Sequence, residues 1–347
     1  MNRLMAHRLP LSWLMILSSA LLLIALVCSV TLGAMPITIS DSLMALLPMA
    51  SEAPEYVSVI IQQVRLPRTL LAIAIGGILA LCGAVMQGLF RNPLADPGII
   101  GVSAGASLGA AIAIVVFGSL LEHTAFLLFG TVPLFSFLGG ALATFAVYYM
   151  GTSRNGTSVN IMLLAGVALG SIAGAGMGLL NYFADDEALR SLSLWTMGSL
   201  AGASWEALAL AYSTLIFLAF AFQFYAKPLN ALLLGESEAR HLGVNVQKLK
   251  RNLILLTAAG VGITVALSGI IGFIGLVVPH IGRMLSGPDH RRLLPLSLVL
   301  GSLLLLISDM TARIVVAPLE LPVGIITAII GAPFFLGLLL KQRGRLA

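Results

Sequence analysis

A helix needs about 20 consecutive apolar residues to cross the hydrocarbon of a bilayer. Residues 11–33 supply such a run without a charged side chain, and similar runs recur along most of the 347-residue chain. This recurrence limits the fold more than any other feature. Inside hydrocarbon every backbone N–H and C=O has to be satisfied within the protein, which leaves helices or a closed barrel. Strands of a membrane barrel alternate apolar and polar residues over roughly ten positions. Runs such as LPLSLVLGSLLLLIS, residues 294–308, do not alternate. The sequence therefore reads as an all-α polytopic membrane protein. A mean hydropathy of +1.04 and a charged fraction of only 10% exclude a soluble globular class. The chain opens on the basic stretch MNRLMAHR. Its first apolar run is long for a signal peptide and lacks a small-x-small cleavage site, so it reads as a retained helix.

Ten spans are predicted: 11–33, 64–89, 99–118, 126–150, 159–181, 192–222, 253–272, 273–285, 293–316 and 321–340. The eighth is short, and Pro279 interrupts it. Together they form a single transmembrane domain over residues 1–347. Segment 34–63 carries Asp41, Glu52 and Glu55 among Pro36, Pro48 and Pro54, the pattern of an external loop with a short helix. Lys and Arg near span ends mark the cytoplasmic side. Arg3 and Arg8 precede the first span; Lys341, Arg343 and Arg345 follow the last. With ten spans both termini share a side, and both are basic, so that side is cytoplasmic. Arg91, Arg154, segment 227–252, Arg291 and Arg292 fall there as well. The net charge of +5 fits basic cytoplasmic ends and calls for no nucleic-acid partner.

Glycine accounts for 36 residues, a composition that lets membrane helices approach closely. Some of these glycines trace an inverted internal repeat at an offset of 186. Ala80-Leu81-Cys82-Gly83 matches Ala266-Leu267-Ser268-Gly269, with Gly76 on Gly262, Pro93 on Pro279 and Gly101 on Gly287. Such repeats run in opposite directions through the membrane of many transporters. Cys28 and Cys82 both lie in apolar spans and read as small buried hydrophobes.

No G-x-x-x-x-G-K-[ST] phosphate loop occurs in the sequence, so the chain does not bind ATP in the usual way by itself. No nucleophile–base constellation can be assembled, and no metal-ligand spacing is found; the chain does not read as an enzyme. An ion-coupled secondary transporter needs buried carboxylates. Asp309 is the main one, and it stands four residues before Arg313, the spacing of a local ion pair. Gln87, Asn160 and Asn181 remain as polar candidates for a path or for helix–helix hydrogen bonds. Arg65 and Arg68 at the outer end of the second span, and Arg313 at the outer end of the ninth, break the charge rule. They either snorkel to lipid headgroups or form an external basic patch for an acidic partner.

The segment KPLNALLLGESEARHLGVNVQKLKRN, residues 227–252, is the one compact charged island. Ser237 to Leu242 can form a short helix that Gly243 ends. Its mix of Leu234, Ala239, Leu242 and Val244 with charges suits a helix docked into another protein's groove. At this point four stretches resemble one family. They are RLPRTLLAIAIGGILALCGAVMQGLFRNPLADPGIIGVSAGASLG (65–109), LLGESEARHLGV, GFIGLVVPHIGR (272–283) and ELPVGIITAIIGAPFFLGLL (320–339). In this order they resemble the permeases of bacterial ATP-driven importers for iron–siderophore, haem and cobalamin, the FecCD-type family with the type II importer fold. The resemblance implies a homodimer in the inner membrane, two ATPase subunits that use ATP and Mg, and a periplasmic substrate-binding protein. It implies that Leu234, Gly235, Glu236, Ser237, Glu238, Ala239, Arg240, His241, Leu242, Gly243 and Val244 form the ATPase-coupling helix. It implies that Arg65, Arg68 and Arg313 meet carboxylates of the binding protein.

Cargo is harder to read. LRSLSLWTMGSLAGASW, residues 189–205, resembles the corresponding outer segment of haem permeases. Arg190 would either pair with a haem propionate or with Asp185, Asp186 or Glu187 of its own loop. His280 reads as a structural residue at a helix break. Haem is therefore the expected cargo, with ferric siderophore and cobalamin as alternatives, and an ion-coupled secondary transporter as the alternative of another class.

Overall fold

The computed structural model describes residues 10–33, 35, 37–46, 54–121, 130–154 and 156–343. Arg3, Arg8, Arg345, Pro36, Pro48, Glu52 and the start of the predicted 126–150 span lie outside the described residues. Helix α1 (Leu11–Thr31) is followed by α2 (Ile39–Met44) and α3 (Glu55–Val59). A π-helical turn, Ile60–Arg65, joins α3 to α4 (Leu66–Leu89), making one rod of 35 residues. Then come α5 (Val102–Leu121), α6 (Thr131–Gly151), α7 (Val159–Phe183), α8 (Asp186–Thr196) and α9 (Trp205–Leu233). The chain ends with α10 (Glu236–His241), α11 (Val246–Ser268), α12 (Ile274–Ser286), α13 (His290–Ile314) and α14 (Val323–Arg343). A two-residue hairpin, β1 (Thr152–Ser153) with β2 (Gly156–Thr157), links α6 to α7. Eight helices are long and apolar enough to cross a membrane, and α5 and α12 are shorter apolar ones. The ten predicted spans are thus all present as helices.

Helix α4 is the axis of the bundle. Between Leu71 and Leu89 nearly every residue is buried, because α9, α11, α12 and α13 all pack against it. A helix apolar all round is what a central position requires. Close approach is bought with glycine: a Cβ on Gly76 would collide with the Gly301 carbonyl of α13, and one on Gly83 with the Gly275 carbonyl of α12. Helices α5, α6 and α7 form a second layer that joins the axis through α11.

The observed bounds revise several of the predicted ones. The sixth span is not 192–222: α8 ends at Thr196, and α9 begins only at Trp205, where the Ser204 side chain caps it by accepting from Ala207 N at 3.2 Å. Between them Gly198 has φ +71°, and a side chain there would strike the Ile270 carbonyl, so the apolar run is broken in a way hydropathy does not register. Helix α9 runs on through Lys227 and Pro228 to Leu233. Helix α11 starts at Val246, so only residues 234–245 of the 227–252 segment lie between long helices. Pro279 does not break α12. The carbonyl of Gly275, which a proline four residues on leaves without its usual donor, faces Gln87 Nε2 at 3.4 Å. Residues 55–63, drawn as loop, are helical. At the offset of 186, Gly83 sits inside α4 whereas Gly269 caps α11, so that residue register does not pair equivalent positions.

Candidate functional site

Two faces of the bundle carry organised polar groups, and α10 stands on the first. Gly235, with φ +124°, turns the chain out of α9, and Gly243, with φ +83°, ends α10. The Val244 N–H returns to the Ala239 carbonyl at 2.9 Å, closing the helix end. Glu236 and Glu238 lie in the first turn and Arg240 and His241 in the last, the arrangement that complements the helix dipole. Ala239 faces inward and is fully buried, while Leu234 and Leu242 are 68% and 64% exposed. Ser237, Glu238, Arg240 and His241 are exposed with them. The helix is therefore a knob that presents apolar and charged groups outward on a buried alanine base.

The knob is tied to its neighbours by groups that the sequence alone did not single out. Lys250, in the second turn of α11, is almost fully buried. Its Nζ donates to Glu236 Oε1 at 2.6 Å and to the Thr157 carbonyl at 3.0 Å. The Thr157 N–H donates to Gln247 Oε1 at 2.9 Å. One lysine thus connects α10, α11 and the hairpin that leads directly into α7. A second tie holds the end of α9. Asn230 Nδ2 donates to Asp289 Oδ1 at 2.6 Å, and its Oδ1 accepts from the His290 N–H at 2.8 Å. Asp289 lies in the turn before α13. Burial alone would raise its pKa, but hydrogen bonds from Arg291 and Asn230 outweigh that and hold it at about 2. Lys250 had one legible signal, a charge between Leu249 and Leu253 on an apolar stripe. The Asn230–Asp289 tie had none.

On the opposite face the arginines predicted as an exposed patch are turned inward. Arg65, Arg68 and Arg313 are 5%, 5% and 3% exposed. Arg68 Nε meets Asp309 Oδ1 at 2.9 Å and its Nη1 meets Glu320 Oε2 at 2.5 Å. Arg313 Nε pairs with Asp309 Oδ2 at 3.1 Å, the local ion pair read from the i, i+4 spacing, and its Nη2 donates to Ser29 Oγ at 2.6 Å. Arg65 Nη1 donates to the Thr31 carbonyl at 2.7 Å. The physical reason is the end of α1: its last carbonyls have no helical partners, and Arg65 supplies donors for them. These three arginines line a depression of about 220 Å³ together with Glu320, whose side chain keeps 39% of its exposure.

Also on this face is a cavity of about 760 Å³ between the ends of α5, α6, α8 and α11. Asp185, Glu187, Trp195, Ser199 and Ser268 line it, and among the described residues no Lys or Arg does. Arg190 is exposed on α8 and outside that lining. Asp185 caps α8 by accepting from Ala188 N at 2.8 Å, and no ion pair joins Arg190 to Asp185, Asp186 or Glu187. Gln87 is not a path residue: it is buried, donates to the Leu276 carbonyl at 3.1 Å and accepts from Arg283. Asn160 and Asn181 are exposed on α7. His280 sits inside α12 with its ring 6.0 Å from that of Phe334.

The sequence profile of the FecCD transport family matches residues 21–341. Over 280 residues the chain is 46% identical to the hemin transport system permease protein HmuU of Yersinia pestis, covering 81% of this chain and 83% of that protein. It is 43% identical over 285 residues to the vitamin B12 import system permease protein BtuC of Klebsiella pneumoniae, covering 82% and 83%. A solved structure of a metal-chelate type ABC transporter in an inward-facing conformation aligns with a TM-score of 0.81 at 33% identity, over 96% of this chain and all of that one.

Proposed function

The chain belongs to the FecCD transport family and is a multi-pass permease of ABC importers; from that premise we propose that it carries haem across the inner membrane. In this reading two copies pair around the path, and a periplasmic binding protein delivers cargo to the arginine face. Two ATPase subunits dock on α10 from the cytoplasm, where both termini lie, and supply ATP and Mg; the permease chain itself binds no cofactor. The observation that carries the coupling role is α10 itself, a knob with Leu234 and Leu242 outward and Glu236 fixed by buried Lys250. A partner moves a gate only through its differential affinity for the two states. The Glu236–Lys250–Thr157 link gives that affinity a route to α7. At the arginine face the guanidinium groups are already engaged, so a binding-protein carboxylate reaches Arg68 by replacing half-exposed Glu320.

Two features support haem as cargo: the HmuU likeness, and an Arg190 that no acid of its own loop engages. The test is reconstitution in liposomes with the cognate ATPase and binding protein. ATP-dependent uptake of haem, and not of cobalamin or a ferric siderophore, is the expected result. Uptake of cobalamin or siderophore instead would keep the mechanism and overturn the cargo. Uptake driven by a proton gradient without the ATPase would overturn the importer reading itself.

A further inference from the structure

Beside α10 lies a groove of about 670 Å³ that the coupling role leaves unexplained. Arg154 of the hairpin turn, Arg240 of α10, and Lys248 and Arg251 of α11 all line it, and among the described residues no Asp or Glu does. Four of the chain's 19 Lys and Arg residues are thus brought together by three separate elements. Like charges gathered this closely repel unless an anion sits among them. Glu236 of α10 is already committed: it holds Lys250 at 2.6 Å and reaches Arg240 only at 3.9 Å. Among the described residues, no ion pair engages Arg154, Lys248 or Arg251. The groove also borders the first turn of the 23-residue helix α11, whose positive dipole end favours an anion, although Asn245 Oδ1 already caps the Lys248 N–H at 3.0 Å.

The level of the groove points to the class of anion. It lies where α6 ends, α7 begins and α11 begins, all of them helices of membrane length. Tyr148, in the last turn of α6, lines its wall, an aromatic at the height where aromatic belts meet lipid headgroups. We propose that this groove binds a phosphate-bearing anion: the headgroup of an acidic phospholipid in the adjoining leaflet, or free phosphate. Clustered Lys and Arg between transmembrane helices recognise such groups through charge and multiple N–H donors.

The test uses the purified full-length chain in neutral detergent. Native mass spectrometry reports binding of phosphatidylglycerol against phosphatidylcholine, and calorimetry reports binding of inorganic phosphate. The variant R154Q/R251Q removes two groove charges, and R154K/R251K keeps them. Selective binding of phosphatidylglycerol that weakens at least about tenfold in the Gln variant and returns in the Lys variant identifies the lipid. The same charge dependence for inorganic phosphate, without lipid selectivity, identifies the soluble anion. Equal binding by wild type and the Gln variant, or none of either probe, overturns the proposal. Loss of ATPase association with phosphatidylglycerol binding unchanged would also overturn it, by making the groove a contact for an acidic protein surface. Binding is read here without transport, so a chain that binds the lipid but imports nothing would sink the importer reading alone.

Discussion

Arg68 Nε reaches Asp309 Oδ1 at 2.9 Å across 241 positions of sequence, which locks the start of α4 to the last turns of α13. The same carboxylate holds Arg313 at 3.1 Å through its other oxygen. Asp309 is fully buried, so its removal would strand buried Arg313 without a carboxylate and leave Arg68 with Glu320 alone. Breaking a buried pair from one side costs about 3–5 kcal/mol. Asp309→Ala should destabilise the purified chain by that order, measured by unfolding in detergent. A change below about 1 kcal/mol would show that the network is not a structural clamp.

Lys250→Met removes the side chain that joins α10, α11 and the hairpin before α7. Cargo uptake per ATP hydrolysed should fall about tenfold, the equivalent of about 1.4 kcal/mol of lost coupling, while the ATPase remains bound and active. Parallel measurement of uptake and phosphate release checks this. An unchanged ratio would place the transmission elsewhere.

Gly76→Val sets a branched side chain against the Gly301 carbonyl. Overpacking a tight contact costs about 1–3 kcal/mol and more where backbone must move. The variant should accumulate poorly in membranes and unfold at lower temperature, while Gly118→Val, with open space around it, should behave as wild type.

The Asp289 carboxyl is held at about 2 against an ordinary 3.8. Because the folded value is the lower one, its stabilising effect is complete above the ordinary value and disappears as pH falls through about 2. Asp289→Asn should therefore unfold at lower temperature than wild type at pH 7, and the gap should shrink between pH 4 and pH 2. A gap independent of pH would assign the effect to helix capping alone.

Arg190→Gln should reduce haem uptake several-fold without changing ATPase recruitment, if the exposed guanidinium meets a propionate; an exposed charged pair is worth up to about 1 kcal/mol. Equal uptake by both proteins would remove Arg190 from the path.

The number of spans was legible because hydropathy registers burial in hydrocarbon whatever the partner. Span ends were less so. Lys227 and Pro228 inside α9, and Lys248 and Arg251 inside α11, look like loop residues but continue helices beyond the apolar stretch. The Asp309–Arg313 pair could be read from a four-residue spacing. The partners of Arg68 lie 241 and 252 positions away, and nothing local in the sequence announces them. The charged island at 234–244 was visible by contrast with its greasy surroundings. Its anchor was legible only as a charge between Leu249 and Leu253, because the groups Lys250 holds lie 14 and 93 positions away.

The 35-residue rod Glu55–Leu89 is about 52 Å long at the α-helical rise, against roughly 30 Å of hydrocarbon. The excess length lies in its first turns, where Val57 and Ile61 pack with Val30 and Ala45 and Gln62 donates to the Ala45 carbonyl at 2.7 Å. Its inner two-thirds is gripped on every side. The π-helical turn Ile60–Arg65 lies between that packed tip and the buried length of α4, so the rod carries its one change of helical winding where its two packed regions meet.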